Sequence, residues 1–333
     1  MRTTGRYWTM IVLLVAIGLS LWSLRQPPAS RGSADLSPNE SATRGSGGLS
    51  SGAQAANSRS DLTPASVPAY PPPKLAAACE AQSKEMLKKL SAEFDSVIEP
   101  PFVVIGDMGR PSLKRMAAGS VVAPAEALWK GYFKAKPDKV ITVLLFKDAA
   151  GYGKWATKLF GDTDLPHFGY YKPAERTLVM NIATGTGTLV HELTHALIVY
   201  DFPDVPRWFN EGFASLHEQC RIEEDSIRGL VNWRLPALQK ALRDGKCRPL
   251  REMIAVDDFY GEQRGLNYAQ ARYFVMHLQE KKLLKPFYAY YREHHAGDKA
   301  AVAAVEHVCG KKIDEVEAEL NKWIQTLRWP PSD

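Results

Sequence analysis

Residues 189–200 read Leu-Val-His-Glu-Leu-Thr-His-Ala-Leu-Ile-Val-Tyr, an apolar stretch that carries two histidines and one carboxylate. If the stretch is helical, His191 and His195 lie one above the other, about 40° apart around the axis, so both imidazoles face one point. Glu192 lies about 100° further round and can stand beside that point rather than on it. This H-E-x-x-H spacing is typical of a Zn²⁺ site with two histidine ligands and a glutamate general base.

Two acidic residues compete for the role of third ligand, which a catalytic zinc site requires. Asp201 follows His195 closely, but a turn back to the metal would need a glycine at position 198, where this chain has isoleucine. Glu211 follows two helix-breaking prolines, so a second, antiparallel helix can bring it back to the histidines. The sequence therefore favours Glu211. The competing interpretation is a buried polar trio without a metal, which costs several kcal/mol unless each group is paired.

Three apolar runs predict β-strands, and the segments around them have helical periodicity. The middle run is apolar on both faces and is expected at the centre of a sheet. The predicted strands are residues 101–106, 140–146 and 176–182, and the predicted helices are residues 76–97, 121–136, 153–159, 186–200, 208–219 and most of the chain from 228 onward. The hydroxyls of Thr186 and Thr188 suit the cap of the fourth helix. This order predicts an α+β fold, with a small mixed sheet and helices followed by a mostly helical half.

The first 75 residues differ in composition from the rest of the chain. Residues 7–24 contain no charged side chain, and as a helix they span about 27 Å, close to the thickness of a bilayer's hydrocarbon core. They predict an uncleaved membrane anchor with the folded domain extracytoplasmic; the alternative is a cleaved signal peptide and a secreted protein. Residues 26–75 are rich in Ser, Gly, Ala and Pro and predict a disordered linker. The chain thus divides into residues 1–25, 26–75 and a folded domain at 76–333.

The formal net charge of +5 comes largely from the N-terminal part of the chain. Residues 1–75 hold seven of the 42 basic residues and three of the 37 acidic residues, which leaves 35 and 34 in the remainder. The folded domain is therefore nearly neutral, and no nucleic-acid partner is expected.

Four cysteines, Cys79, Cys220, Cys247 and Cys309, are compatible with two disulfides in an extracytoplasmic domain. Sequence cannot choose among the three pairings that four cysteines allow. We expect Cys220 to pair with Cys247, because these two flank one local segment, and Cys79 to pair with Cys309. The alternative is four buried thiols.

Together, residues 191–195 and residues 208–215, Trp-Phe-Asn-Glu-Gly-Phe-Ala-Ser, resemble the two metal-binding motifs of the gluzincin zinc metallopeptidases, the thermolysin-like group. The segment from about 100 to 280 is similar to the peptidase-MA-like domains of largely uncharacterised bacterial proteins. The resemblance implies a zincin-like fold with an edge strand and zinc-binding helices. It implies that one Zn²⁺ is the cofactor and that its ligands are His191, His195 and Glu211.

The resemblance also implies roles for residues around the ligands. Glu192 would be the general base and proton shuttle, and Asn210 and Glu218 are candidates to orient the ligands. Tyr268 stands at about the right distance to stabilise the oxyanion, although an aromatic residue on the packed face of a helix explains it equally well. Residues 176–182 would be the edge strand along which an extended peptide pairs.

These expectations combine into a membrane-anchored, extracytoplasmic zinc peptidase that acts on a peptide or protein substrate. An endopeptidase fits better than an aminopeptidase, since no glutamate that could hold a free amine precedes the metal helix at the required place. Two alternatives stay open. One is a non-catalytic binding module with the gluzincin fold, and the other is a zinc hydrolase of a non-peptide bond.

Overall fold

A five-stranded mixed sheet organises the first half of the part described by the computed structural model, which covers residues 70–224, 226–295 and 301–330. The strands follow the order β1-β2-β3-β5-β4. Their bounds are β1 Asp95–Glu99, β2 Phe102–Gly106, β3 Ile141–Phe146, β4 Gly169–Lys172 and β5 Thr177–Asn181. The three inner strands are parallel to one another, while β1 and β4 pair antiparallel at the two edges. The predicted strands at 101–106 and 140–146 are confirmed.

The prediction that residues 176–182 form the edge strand is wrong. β5 lies between β3 and β4, and all five of its side chains are buried. The edge belongs to β4, a short strand that the sequence did not mark. β4 turns back onto β5 through residues 173–176, where the Arg176 amide donates to the Pro173 carbonyl at 3.2 Å. A strand with apolar side chains on both faces suits an inner position in the sheet. There, helices cover both faces and a neighbouring strand pairs along each side.

Helices cover both faces of the sheet. On one face, α1 (Pro73–Lys89) and α4 (Ala149–Phe160) enclose an apolar cluster that includes Cys79, Phe94 and Trp155. On the other face lie α2 (Arg110–Met116), a π-helical turn (Ala117–Val122) and α3 (Ala123–Gly131). The helix predicted at 76–97 begins earlier, at Pro73, and ends at Lys89, because the chain beyond it pairs as β1 with β2.

The second half is helical, as predicted, apart from one hairpin. It contains α5 Gly187–Asp201, α6 Arg207–Leu216, β6 Cys220–Glu223, β7 Ser226–Gly229, α7 Leu235–Arg243, α8 Leu250–Met253, α9 Arg264–Glu280, α10 Leu284–His294, α11 Val302–Cys309 and α12 Ile313–Thr326. The described residues therefore form the expected α+β fold with a mixed sheet. The predicted hydroxyl cap is wrong, since no side chain caps the N-terminus of α5 at Thr186.

Helices α6 and α9 pack against each other at very short distance. A Cβ atom at Gly212 would lie 2.9 Å from both the carbonyl carbon and the carbonyl oxygen of Ala271, so only glycine fits without displacing backbone. Arg272 is fully buried on α9 and donates from Nε to the Ser215 carbonyl at the end of α6, at 2.9 Å. The two helices are therefore held at a fixed separation next to Glu211.

All four cysteines are free thiols, so the predicted disulfides are wrong. Cys79 lies in the apolar cluster on the α1 face of the sheet, whereas Cys309 packs into the cluster on the opposite face. The sheet therefore stands between the two residues that we expected to pair.

The predicted anchor at 1–25 lies outside the described residues, as does the predicted linker up to residue 69. The linker was expected to reach residue 75, but α1 already begins at Pro73. Within the described part of the chain, no helix is both long enough and apolar enough to cross a membrane.

Candidate metal centre

Three potential ligand atoms from two helices meet in the interior. His191 and His195 of α5 approach each other with their Nε2 atoms 3.0 Å apart. Oε2 of Glu211, on α6, lies 3.5 Å from Nε2 of His191 and 3.4 Å from Nε2 of His195. Within the residues described, these three form the one group of histidine, cysteine or carboxylate side chains that could hold a metal ion. The structure thus brings together the three residues that the sequence proposed as ligands.

The spacing of these atoms fits a tetrahedral cation. Ligands at about 2.0–2.1 Å from a tetrahedral centre lie about 3.3–3.4 Å apart. The observed separations of 3.0, 3.4 and 3.5 Å bracket that value. Oε2 of Glu211 is buried and, among the described residues, has no hydrogen-bond partner in good geometry. A buried carboxylate oxygen without a partner lowers the free energy of unfolding unless a cation or a proton donor compensates its charge.

The local sequence explains how Glu211 reaches the histidines. α5 ends at Asp201, and Pro206 starts α6 in the reverse direction. Trp208, Phe209 and Phe213 bury one face of α6 in the aromatic core, which leaves Glu211 on the face toward α5. At the other end of the pair, a Cβ on Gly187 would overlap the Glu218 carbonyl oxygen, so α5 also begins in contact with the end of α6.

Both imidazoles are oriented by oxygen acceptors on their far sides. Nδ1 of His195 lies 2.8 Å from Oδ1 of Asn210, and Nδ1 of His191 lies 3.4 Å from Oε1 of Glu218. The second contact is a charge contact rather than a well-aligned hydrogen bond. Arg234 holds Glu218 with two hydrogen bonds, of 2.7 and 3.0 Å. In the neutral tautomer that carries its proton on Nδ1, toward these oxygens, each imidazole presents the lone pair of Nε2 to the centre of the cluster. Asn210 and Glu218 thus occupy the positions that the sequence proposed for them.

The charges of the cluster are strongly coupled. Burial alone would lower the pKa of His191, but the contacts with the Glu211 and Glu218 carboxylates outweigh it and raise that pKa to about 10. Burial would raise the pKa of Glu211, yet the two histidines hold it well below its ordinary value of 4.5. The charge of Arg234 and contacts with His191 likewise outweigh burial and lower the pKa of Glu218 to about 2. A cation bound here would replace the proton on His191, so its affinity would fall with falling pH.

Glu192 lies beside the ligand group rather than in it. It is partly buried on the side of α5 that faces β4, where the backbone of Tyr171 donates to its carboxylate. Burial raises the pKa of Glu192, and the charges of His191 and His195 reduce the rise without cancelling it. A carboxylate that lies beside a cation site can exchange a proton with water at that site.

Tyr268 reaches the cluster from α9. Its ring is inclined by 20° to that of His191, with centroids 6.5 Å apart, and it also packs on Phe259 at 5.3 Å. Burial raises the pKa of Tyr268, and the Glu211 charge and a hydrogen bond to Glu211 raise it further. Tyr268 therefore packs in the helix interface beside the cluster, as the packing interpretation expects, and its role in stabilising an oxyanion stays a prediction.

Tyr260 is a contact residue that sequence reasoning missed. It lies in the loop between α8 and α9, and its hydroxyl donates to Oε1 of Glu211 at 2.7 Å, across 49 residues of sequence. Its side chain remains 48% exposed, which places it at the solvent side of the cluster. The chain contains 13 tyrosines, and nothing in the spacing or surroundings of this one distinguishes it.

Asp201, the rejected ligand candidate, belongs to a structural network away from the cluster. Its Oδ1 accepts from the amides of Lys134 and Ala135 at 2.7 and 2.8 Å, and its Oδ2 accepts from Tyr288 and Arg292, each at 2.8 Å. These bonds outweigh burial and lower the pKa of Asp201. The carboxylate joins the end of α5 to α10 and is unavailable to a metal.

The remaining histidines stay outside the ligand group. His277 is a core residue, as predicted, with its ring 5.0 Å from that of Trp323, and burial lowers its pKa to about 4. His217 is also a packing residue; its ring lies 4.8 Å from that of Phe213, and burial lowers its pKa to about 3. His167, His294, His295 and His307 are likewise absent from the group.

No protein-family model matches this chain, and no curated protein matches it. The resemblance of residues 191–195 and 208–215 to gluzincin motifs therefore stays a prediction. Any functional assignment rests on the residues of the cluster and their geometry.

Proposed function

We propose that this protein is a zinc-dependent peptidase of the gluzincin type. The observation that carries the proposal is a buried triangle of His191, His195 and Glu211 donor atoms, with Glu192 adjacent on the side that faces a sheet edge. A structural polar trio would need neither tetrahedral spacing nor imidazoles that are oriented from their far sides. Both features are what a catalytic zinc site requires.

The three ligands would hold Zn²⁺ through Nε2 of each histidine and Oε2 of Glu211. When bound, the ion would supply Lewis-acid chemistry, which polarises a carbonyl group and makes water acidic enough to react near pH 7. Asn210 and Glu218 would keep the imidazoles in the tautomer that presents Nε2. Arg234, paired with Glu218, would keep that carboxylate charged and in place.

Glu192 would move the proton. Its carboxylate accepts a proton from the water that attacks the scissile carbonyl, and then delivers that proton to the departing amine nitrogen. Burial raises the pKa of Glu192 and so favours its protonated form, which is the form needed for the second transfer. The Tyr171 backbone contact keeps the carboxylate on the side of β4.

Strand β4 would bind the substrate backbone. It is one of the two outer strands of the sheet, the one that packs against α5, and no described strand pairs on its far side. An extended peptide could add there, which would bring one of its carbonyl groups beside Glu192. This binding mode needs no free terminus. Glu218, which contacts His191, is already paired with Arg234 at 2.7 Å and is therefore a poor partner for a free amine. An endopeptidase therefore fits better than an aminopeptidase.

The test combines metal analysis with a peptide-cleavage assay. Wild-type protein should contain about one Zn per chain and cleave peptides; His191→Ala should lose the metal, and Glu192→Gln should retain it but be inactive. Full activity in Glu192→Gln would refute the proton-transfer role. Zn-loaded wild type that cleaves no member of a broad peptide library would instead indicate a binding module or hydrolysis of a different bond.

A further inference from the structure

The two oxygens of the Glu211 carboxylate have different surroundings. Oε2 faces the Nε2 atoms of His191 and His195 at 3.5 and 3.4 Å. Oε1 accepts a hydrogen bond from the Tyr260 hydroxyl at 2.7 Å. The carboxylate is thus divided between the cluster and a tyrosine that is not itself a ligand.

This division matters because a carboxylate can bind a metal through one oxygen or through both. Binding through both would use the position that a catalytic zinc site must keep open for water and substrate. A short hydrogen bond to Oε1 satisfies that oxygen and opposes its rotation onto the metal. A hydroxyl group is suited to this task, since it donates without adding a charge that would compete with the cation.

The loop that carries Tyr260 is fixed on both sides of the residue. The buried Asn267 side chain of α9 donates to the Phe259 carbonyl at 2.9 Å, and the Gly261 amide donates to the Asp258 carbonyl at 2.8 Å. Arg248 pairs with Asp258 at 3.2 Å. The backbone on both sides of Tyr260 is therefore held in place, and its hydroxyl reaches Glu211 although the residue is about half exposed.

We propose that Tyr260 is a positioning residue that keeps Glu211 a one-oxygen ligand and so preserves the open coordination position. The inference rests on the proposed metal site and goes beyond it, since neither the motifs nor the ligand spacing assigns a role to residue 260. Tyr268 approaches the same carboxylate from α9, so the experiment must separate the two hydroxyls.

The test uses the full chain, stripped of metal with a chelator, and the ions Zn²⁺ and Co²⁺ alone. Zn²⁺ affinity is measured by competition with a chromophoric chelator, and the coordination number by the visible spectrum of the Co²⁺ form. The variants are Tyr260→Phe and Tyr268→Phe. The matched control is Tyr290→Phe, at a tyrosine on α10 that stacks between His294 and His307. Thermal unfolding of each metal-free variant checks that the fold is intact.

Tyr260→Phe should bind Zn²⁺ about 10–100-fold more weakly than wild type, as is usual when a partner of a metal ligand is removed. Its Co²⁺ bands should weaken, because four-coordinate Co²⁺ absorbs more strongly than five-coordinate Co²⁺. Tyr290→Phe should match wild type in both measurements. Unchanged affinity in Tyr260→Phe, an unchanged spectrum, or the expected changes appearing only in Tyr268→Phe would each overturn the inference. Wild type that binds neither ion would refute the metal site itself, which is a different and recognisable result.

Discussion

Replacing Gly212 with alanine tests whether the contact between α6 and α9 sets the position of Glu211. The added Cβ would lie 2.9 Å from the Ala271 carbonyl carbon and oxygen and 3.1 Å from the Ala271 Cβ. Two of these three atoms are backbone, so no side-chain rotation can relieve the contact. The helices must move apart, and Glu211, the residue before Gly212, must move with α6.

The magnitude follows from two opposing effects. Alanine is favoured over glycine inside a helix by about 0.5–1 kcal/mol. Overpacking a closed contact costs about 1–3 kcal/mol. At Gly153, in the interior of α4, the built Cβ meets no atom within 4 Å, so only the first effect applies. Gly153→Ala should therefore stabilise the protein, and Gly212→Ala should destabilise it by up to about 2.5 kcal/mol.

The assay is urea unfolding of both metal-free variants beside wild type, followed by Zn²⁺ affinity of each. Gly212→Ala should lower the free energy of unfolding and weaken Zn²⁺ binding, whereas Gly153→Ala should raise that free energy and leave Zn²⁺ affinity unchanged. If both variants stabilise the protein equally, the helix contact is looser than the structure indicates. In that case the reasoning about Glu211 fails.

Two further predictions concern residues outside the ligand group. Asp201→Ala should destabilise the protein by about 1–3 kcal/mol in urea unfolding, because it leaves the buried Tyr288 hydroxyl and the partly buried Arg292 guanidinium without their partner. Its Zn content, measured by metal analysis, should stay at the wild-type value, and a loss of Zn at unchanged stability would contradict the structural role. His277 is buried and neutral when folded, with a pKa of about 4 against an ordinary 6.5, so the unfolded chain takes up the proton first as pH falls. Stability should therefore decline by on the order of 2 kcal/mol between pH 6.5 and 4, and His277→Leu should lack this part of the decline in urea unfolding; identical pH profiles would contradict it.

Local pattern predicted a large part of the candidate site. His191, Glu192 and His195 lie within five residues. Because the pitch of a helix is known, their spacing predicts which of these side chains face the same point. Glu211 required a second motif and a reversal at two prolines, both of which are also local signals. The strands at 102–106 and 141–146 were predictable in the same way, because strands buried on both faces are continuous apolar runs.

The same reasoning failed for strand neighbours and disulfide partners, which depend on how separate segments of the chain pack. Residues 177–181 have a strand composition, but that composition does not reveal whether another strand lies alongside. Only the return of residues 169–172 showed that the edge belongs to β4. The expected disulfides failed for a related reason, since spacing along the chain carries no information about which face of a sheet a cysteine occupies.

By itself the sequence predicted the cluster of His191, His195 and Glu211, the neighbouring Glu192 and the α+β class, because each depends on the periodicity of one or two adjacent helices or strands. Only the tertiary structure decided that Tyr260 bonds to Oε1 of Glu211 and that Arg292 and Tyr288 bond to Asp201. It also decided that β4, rather than β5, is the outer strand next to α5. The contacts of Tyr260 and Asp201 join residues that are 49, 87 and 91 positions apart. The backbone path that brings such atoms together is set by packing of the whole core, which no local segment of the chain encodes.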